Sequence, residues 1–109
     1  MKISKELIKG STSMLVMSVL KGKDLYGYKI IKELELHSES VFELKEGTLY
    51  PILHALEEEN FLESYWEECD GRKRKYYHLT RKGEKQLSEK QQEWKVFAKS
   101  VDKVLSYAN

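Results

Sequence analysis

Arg72, Lys73, Arg74 and Lys75 stand in succession directly after the pair Asp70-Gly71. Four adjacent cations repel one another, so such a run is either a solvated surface, its ordinary fate, or a surface compensated by something anionic. Charge is segregated along the rest of the chain as well. Residues 1–34 carry lysines at 2, 5, 9, 21, 23, 29 and 32 against Glu6, Asp24 and Glu33, whereas residues 35–69 are acidic with Lys45 as the lone lysine. A net charge of +1 therefore conceals a chain able to present one positive face to a polyanion. Residue types for covalent or metal chemistry show no such order. His37, His54 and His78 lie far apart, without metal-ligand spacing to one another or to Cys69. The chain has no glycine-rich phosphate loop, nucleophile elbow or paired catalytic carboxylates, and Glu57-Glu58-Glu59 reads as a solvated helix end. Cys69, among acidic neighbours, lacks the cationic setting that activates a thiol and reads as inert. The expectation is a binding protein, not an enzyme, with no metal and no cofactor.

The elements that must carry these residues follow from periodicity. With 109 residues, 40% apolar and 34% charged, the chain is expected to be one folded domain, mainly helical. No run approaches the roughly 18 apolar residues of a membrane span, so no membrane partner is expected. The segment MKISKELIKGS lacks a signal peptide's apolar core and cleavage site, and the single cysteine allows no internal disulfide; together these predict a cytoplasmic location. A first helix is predicted from Lys5 to Lys21, apolar almost all round in its second half and ended by Gly22. A second fits Tyr26 to His37, with Asp24 as a possible cap and Tyr28, Ile31 and Leu34 or Glu35 on one face. A third follows HSESV and runs to Glu59, with Leu49, Ile52, Leu53 and Leu56 at helical spacing and Asn60 as its stop. The period then changes to two: FLESYWE and KYYHLT flank Asp70-Gly71, a strong turn pair, and form a hairpin. Thr80 can cap a last helix to about Tyr107, where Leu87, Trp94, Val101 and Ala108 fall seven apart and Phe97 and Val104 are offset by three.

Helix, helix, helix, basic hairpin and long helix are the parts of a winged helix-turn-helix (residues 1–79) followed by a dimerisation helix (residues 80–109). The fold class is mainly α with a small β-hairpin. The apolar seam of the last helix, drawn through Leu87, Trp94, Val101, Val104 and Leu105, calls for a partner, and on so short a chain a second copy is the expected one, making a homodimer. The segments LYGYKIIKEL, EGTLYPILHALEEENFL and GRKRKYYHLTRKG resemble the signature segments of PadR-like transcriptional regulators over almost the whole chain. The short length and single C-terminal helix are similar to the subfamily that includes multidrug-sensing members, in which a tryptophan like Trp94 is familiar. The resemblance implies a dimeric winged-helix repressor of double-stranded DNA, its last helix packed on the first helix of the partner. Lys45 departs from the small capping residue usual at that place.

Pro51, the chain's one proline, falls inside the third helix. If that helix starts at Thr48, the proline lies in the first turn, where its missing N–H has no partner to lose. If it starts at Lys45 or Glu46, Pro51 faces the carbonyl of Gly47, and a glycine there can tilt away. Either way the N-terminal end of a recognition helix would present Lys45, Thr48, Tyr50 and Pro51 to base edges, with His54 one turn on. A harmless proline at a helix start is the competing reading, and the basic hairpin tips the balance toward DNA. Arg72, Lys73, Arg74 and Lys75 would reach phosphates or the minor groove, and Tyr28 and Lys29 would contact phosphates at the head of the second helix. Trp94 is either one more seam residue or, with Gln91, Phe97 and Ala98 and the partner's Leu7 and Met14, one wall of a pocket for a planar aromatic effector. A winged-helix module that docks protein through its acidic segment and hairpin is the alternative function.

Overall fold

In a computed structural model, which describes residues 2–108, two hydroxyls decide the shape of the N-terminal segment. Ser11 Oγ and Thr12 Oγ1 both donate to the Ile8 carbonyl, at 3.1 and 3.0 Å, and the Ser11 N–H does the same. Side-chain donors thus compete with the helical ladder at a Gly-Ser step of low helix propensity. The continuous helix predicted over Lys5–Lys21 is accordingly two helices, α1 (Lys5–Lys9) and α2 (Thr12–Val19). Val16, Met17 and Leu20 enter the core, and Gly22, at φ +83°, turns the chain after α2.

A short strand, β1 (Leu25–Tyr26), follows and leads directly into α3 (Gly27–His37). Sequence periodicity did not reveal β1, because two residues have no period. Asp24 does not cap α3: Tyr26 holds the N-cap position without a side-chain bond. The buried face of α3 is Gly27, Ile30 and Leu34, so Tyr28, expected on that face, is 53% exposed. The helix closes with the Ser40 N–H on the Glu35 carbonyl and the Glu39 N–H on that of Leu36, with Glu39 at φ +52° and Ser40 at φ +67°. Next, α4 (Glu46–Glu58) buries Leu49, Leu53 and Leu56, and ends in the same motif through Asn60 at φ +63°. Lys45 is its N-cap and makes no side-chain capping bond. Pro51 is therefore the sixth residue of the helix and faces Gly47, the second of the two placements the sequence allows.

The strands β2 (Leu62–Cys69) and β3 (Arg72–Leu79) pair from Leu62↔Leu79 to Cys69↔Arg72 around a two-residue turn, with Asp70 and Gly71 at φ +52° and +75°. The sheet order is β1-β3-β2, all antiparallel. One face of the hairpin, carrying Leu62, Tyr77 and Leu79, closes the core. Thr80 caps α5 (Arg81–Tyr107) by accepting the Gly83 N–H at 3.0 Å, while its hydroxyl lies 2.7 and 3.1 Å from the carbonyls of Asn60 and Phe61. Gly83 and Leu87 are buried, so the base of α5 is part of the winged unit. Leu87, drawn into the seam by its heptad spacing, is 1% exposed inside its own chain and is removed from that seam. Most of the remainder of α5 is exposed, Phe97 at 59% and Val104 at 69% included, with Gln86, Lys90 and Ala98 half-buried.

Candidate nucleic-acid interface

The start of α3 is where three elements meet. Gly27 is its first residue, and a Cβ there would stand 2.8 Å from the Tyr50 hydroxyl. The missing side chain is what admits Tyr50 of α4 against the head of α3. From the other side, the Arg74 guanidinium of β3 lies 4.3 Å from the centre of the Tyr26 ring, at the N-cap. The N-terminal end of α3, with the partial positive charge of a helix start, thus carries Tyr28 and Lys29 and has the Arg74 guanidinium over its N-cap ring. Tyr28 and Lys29 are exposed, and Lys32 Nζ lies 5.4 Å from the Tyr28 ring centre. On α4, Thr48, Tyr50, Pro51 and His54 are all exposed, beside the exposed Lys45 at the cap. The arrangement offers cations, hydroxyls and a helix N-terminus on one surface, the donors that phosphate oxygens and base edges accept from.

The basic run divides between the two faces of its strand. Arg74 shares the outer face with Tyr76, whereas Lys75 shares the inner one with Tyr77. Lys75 Nζ lies 3.7 Å from Glu57 Oε1 and 5.6 Å from the Tyr77 ring centre, so this cation is engaged by α4. Arg72 and Lys73 are exposed near the turn, although the tip itself is Asp70-Gly71. The register also supplies acids the sequence argument did not count: Glu67 stands opposite Arg74 and Glu68 opposite Lys73. Part of the self-repulsion of the run is thereby offset inside the hairpin.

Asp24, read from the sequence only as a possible helix cap, and Tyr65, Tyr76 and His78, none of them expected at the interface, form a connected polar cluster on this surface. Asp24 Oδ2 accepts from the Tyr65 hydroxyl at 2.7 Å, and Asp24 Oδ1 lies 2.8 Å from His78 Nδ1. Tyr76 stands between, with its ring stacked on Tyr65 (5.7 Å between centres) and edge-on to Tyr26 (5.5 Å). Burial pushes the Asp24 carboxyl up, but the bonds from Tyr65 and His78 and the charge of His78 outweigh it and hold the pKa below its ordinary value. The same carboxylate raises His78 and, through the hydroxyl bond, pushes Tyr65 up to about 12. Counting the register outward from Asp70-Gly71 would have placed Tyr65 opposite Tyr76 and brought His78 to the same face. Nothing in the sequence would have brought Asp24 there, since that requires β1.

The residues expected at an effector pocket are less concentrated. Trp94 is 48% exposed, with the Phe97 ring 6.1 Å away at 38°. Leu7 is 72% exposed on α1, whereas Met14 packs against the core of its own chain. Gln91 is exposed and Ala98 half-buried. An open groove of about 320 Å³ lies further along α5, lined by Phe97, Ser100, Val101, Val104 and Leu105, and Trp94 is not among its walls. Among the described residues no cluster of His, Cys, Asp or Glu could hold a metal ion, and no helix is long and apolar enough to cross a membrane.

Known proteins share both the sequence and this fold. Residues 16–89 match the family described as Transcriptional regulator PadR-like family. An uncharacterized protein of Lysinibacillus sphaericus is 34% identical over 101 residues, 92% of this chain and 93% of its own. A transcriptional regulator from Clostridium thermocellum superposes with a TM-score of 0.85 at 31% identity, over 91% of this chain and 97% of that one. A PadR family transcriptional regulator from Eggerthella lenta gives 0.82 at 36% identity, over 92% and 86%.

Proposed function

The chain belongs to the PadR-like family of transcriptional regulators, and on that premise we propose that it is a homodimeric, ligand-responsive repressor acting in the cytoplasm on an inverted-repeat operator. The observation that carries the reading is the convergence at the head of α3, where Tyr50 of α4 packs on Gly27, Arg74 of β3 lies over the Tyr26 ring, and Tyr28 and Lys29 are exposed beside them. In this reading α4 enters the major groove with Lys45, Thr48, Tyr50, Pro51 and His54 foremost. Tyr28 and Lys29 meet phosphates, and Arg72, Lys73 and Arg74 extend the contact along the backbone. Lys75, held by Glu57, contributes at most its charge.

The dimer reading rests on the exposed apolar stripe of α5. Phe97, Val101 and Val104 are 59, 37 and 69% exposed on a helix whose fully buried residues, Gly83 and Leu87, lie at its base, and a second α5 is the self-complementary cover for such a stripe. The two recognition helices then fit half-sites about one helical turn apart. A planar aromatic compound held between the two Trp94 rings would change how the last helices cross, and so the spacing of the two α4 helices.

A gel-shift titration with duplex DNA from upstream of its own coding sequence tests the reading. A dimer neutralising about 6–10 phosphates should lose roughly three to five decades of affinity between about 50 and 200 mM salt. Failure to bind any such DNA at low salt would leave the protein-docking module as the better account. For the effector, a ligand that weakens DNA binding must itself be weakened by DNA by the same factor. Quenching of Trp94 in a Trp66→Phe background reports its binding.

A further inference from the structure

The link between the wing and the head of α3 is thin in backbone terms. β1 is two residues long, and its pairing with β3 consists of Leu25↔Tyr77 and Tyr26↔Tyr76. So short a ladder is weak by itself. What reinforces it is one side chain. Asp24, immediately before β1, engages Tyr65 of β2 through one carboxylate oxygen and His78 of β3 through the other. A single carboxylate on the approach to α3 therefore holds both strands of the hairpin. Two residues later Tyr26, the N-cap of α3, sits under Arg74 of the wing and against Tyr76, which stacks on Tyr65. The bonds at Asp24 and the ring contacts at Tyr26 fix the same junction from its two ends.

We propose that Asp24 is a positioning residue for DNA binding: its carboxylate orients the wing, and with it Arg74, against the N-terminal end of α3. This rests on the DNA-binding reading above. Asp24 touches no DNA in this account and acts through Tyr65 and His78. The geometry also gives the proposal an unusual sign. Asp24 is an anion on a surface meant for a polyanion, and electrostatics alone says its removal should tighten binding. Positioning says the reverse, because a wing that drifts loses phosphate contacts made by Arg74.

Asp24→Asn, Tyr65→Phe and the double variant separate these outcomes, measured by fluorescence anisotropy on labelled duplex from upstream of the protein's own coding sequence across a salt series. The expected result is that Asp24→Asn weakens binding about fivefold or more and flattens the salt slope by about one phosphate. Tyr65→Phe, which changes no charge, should weaken it in the same direction, and the double variant should be no worse than Asp24→Asn, since both cut the same link. The bonds are partly exposed and add little to stability, so circular dichroism and melting temperature should stay near wild type. Binding by Asp24→Asn as tight as or tighter than wild type, with an unchanged slope, overturns the proposal while leaving the DNA reading intact. Fully additive losses in the double variant overturn it too. Absence of binding by the wild-type protein refutes the DNA reading, and the proposal falls with it.

Discussion

Gly83→Ala is the substitution whose cost the geometry states most directly. Gly83 stands buried in the first turn of α5, with its N–H on Thr80 Oγ1. A methyl group there would run into the Phe61 carbonyl oxygen and lie 2.6 Å from Leu79 Cδ1 and 3.0 Å from the Phe61 carbonyl carbon. The Leu79 side chain can turn aside. The Phe61 carbonyl cannot, because it accepts the Thr80 N–H at 3.0 Å and lies 3.1 Å from the Thr80 hydroxyl. The base of α5 must therefore retreat by about 1 Å, at an overpacking cost of about 1–3 kcal/mol. Stretching the bonds at Thr80 adds about 0.5–1.5 kcal/mol. Alanine returns at most about 1 kcal/mol of helix propensity, and less in a first turn. The net loss is about 0.5–4.5 kcal/mol, and at roughly 4–8 °C per kcal/mol for a domain near this size the melting temperature should fall by about 2–36 °C. Thermal unfolding followed by circular dichroism, at one fixed protomer concentration, measures it. A variant that melts at or above wild type would refute the reasoning, since helix propensity would then outweigh the contact with Phe61.

Thr80→Ala removes the acceptor for the Gly83 N–H and a hydroxyl lying within reach of two carbonyls, and should cost about 1–2 kcal/mol in urea denaturation, an outcome below a few tenths denying the cap its role. The Asp24–His78 pair predicts a pH signature. His78 is raised above its ordinary 6.5, so its contribution is complete below that value and is lost as pH rises through the folded-state pKa; Asp24 is lowered from 3.8, so its share is complete above that and is lost as pH falls through its lowered pKa. Wild type should therefore exceed Asp24→Asn in stability most between these two ordinary values, by about 0.2–1 kcal/mol for so exposed a pair, and the gap should narrow in alkali. Equal denaturation midpoints at pH 5 and pH 9 in the difference between the two proteins would count against the ion pair. On DNA, Arg74→Ala should reduce the salt slope by about one while Lys75→Ala, whose cation is held by Glu57, leaves it nearly unchanged; equal effects would mean that the two strand faces are not distinguished.

Much of the chain was legible because its signals are local. Asp70-Gly71 sets the hairpin, Thr80 and Asn60 bound their helices, and Leu49, Leu53 and Leu56 repeat at helical spacing. Most of the errors have a different cause, namely partners distant in sequence, and the break in the first helix is the local exception. There the helix drawn from Lys5 to Lys21 is broken by the Ser11 and Thr12 hydroxyls, which both donate to the Ile8 carbonyl. Leu87 fits a heptad and is nonetheless claimed by the core of its own chain, because helix period cannot say which neighbour a stripe faces. Asp24 looked like a cap because capping is local, whereas its real partners lie 41 and 54 residues away. The basic run was visible as a run, but its division between Arg74 outward and Lys75 toward Glu57 depends on strand register.

One residue, Thr80, separates the end of β3 from the start of α5. Mechanically, this is a joint without slack. The helix has 27 residues, a rod about 40 Å long, clamped at its base by Gly83 and Leu87. A tilt of about 5° at that clamp sweeps the far end by roughly 3.5 Å over such a length. The leverage also works in reverse: a displacement of a few ångströms imposed on the free end arrives at the base as a small rotation. With no loop to take up that rotation, it is delivered to Leu79 and Thr80, and through the carbonyls of Asn60 and Phe61 to the end of α4.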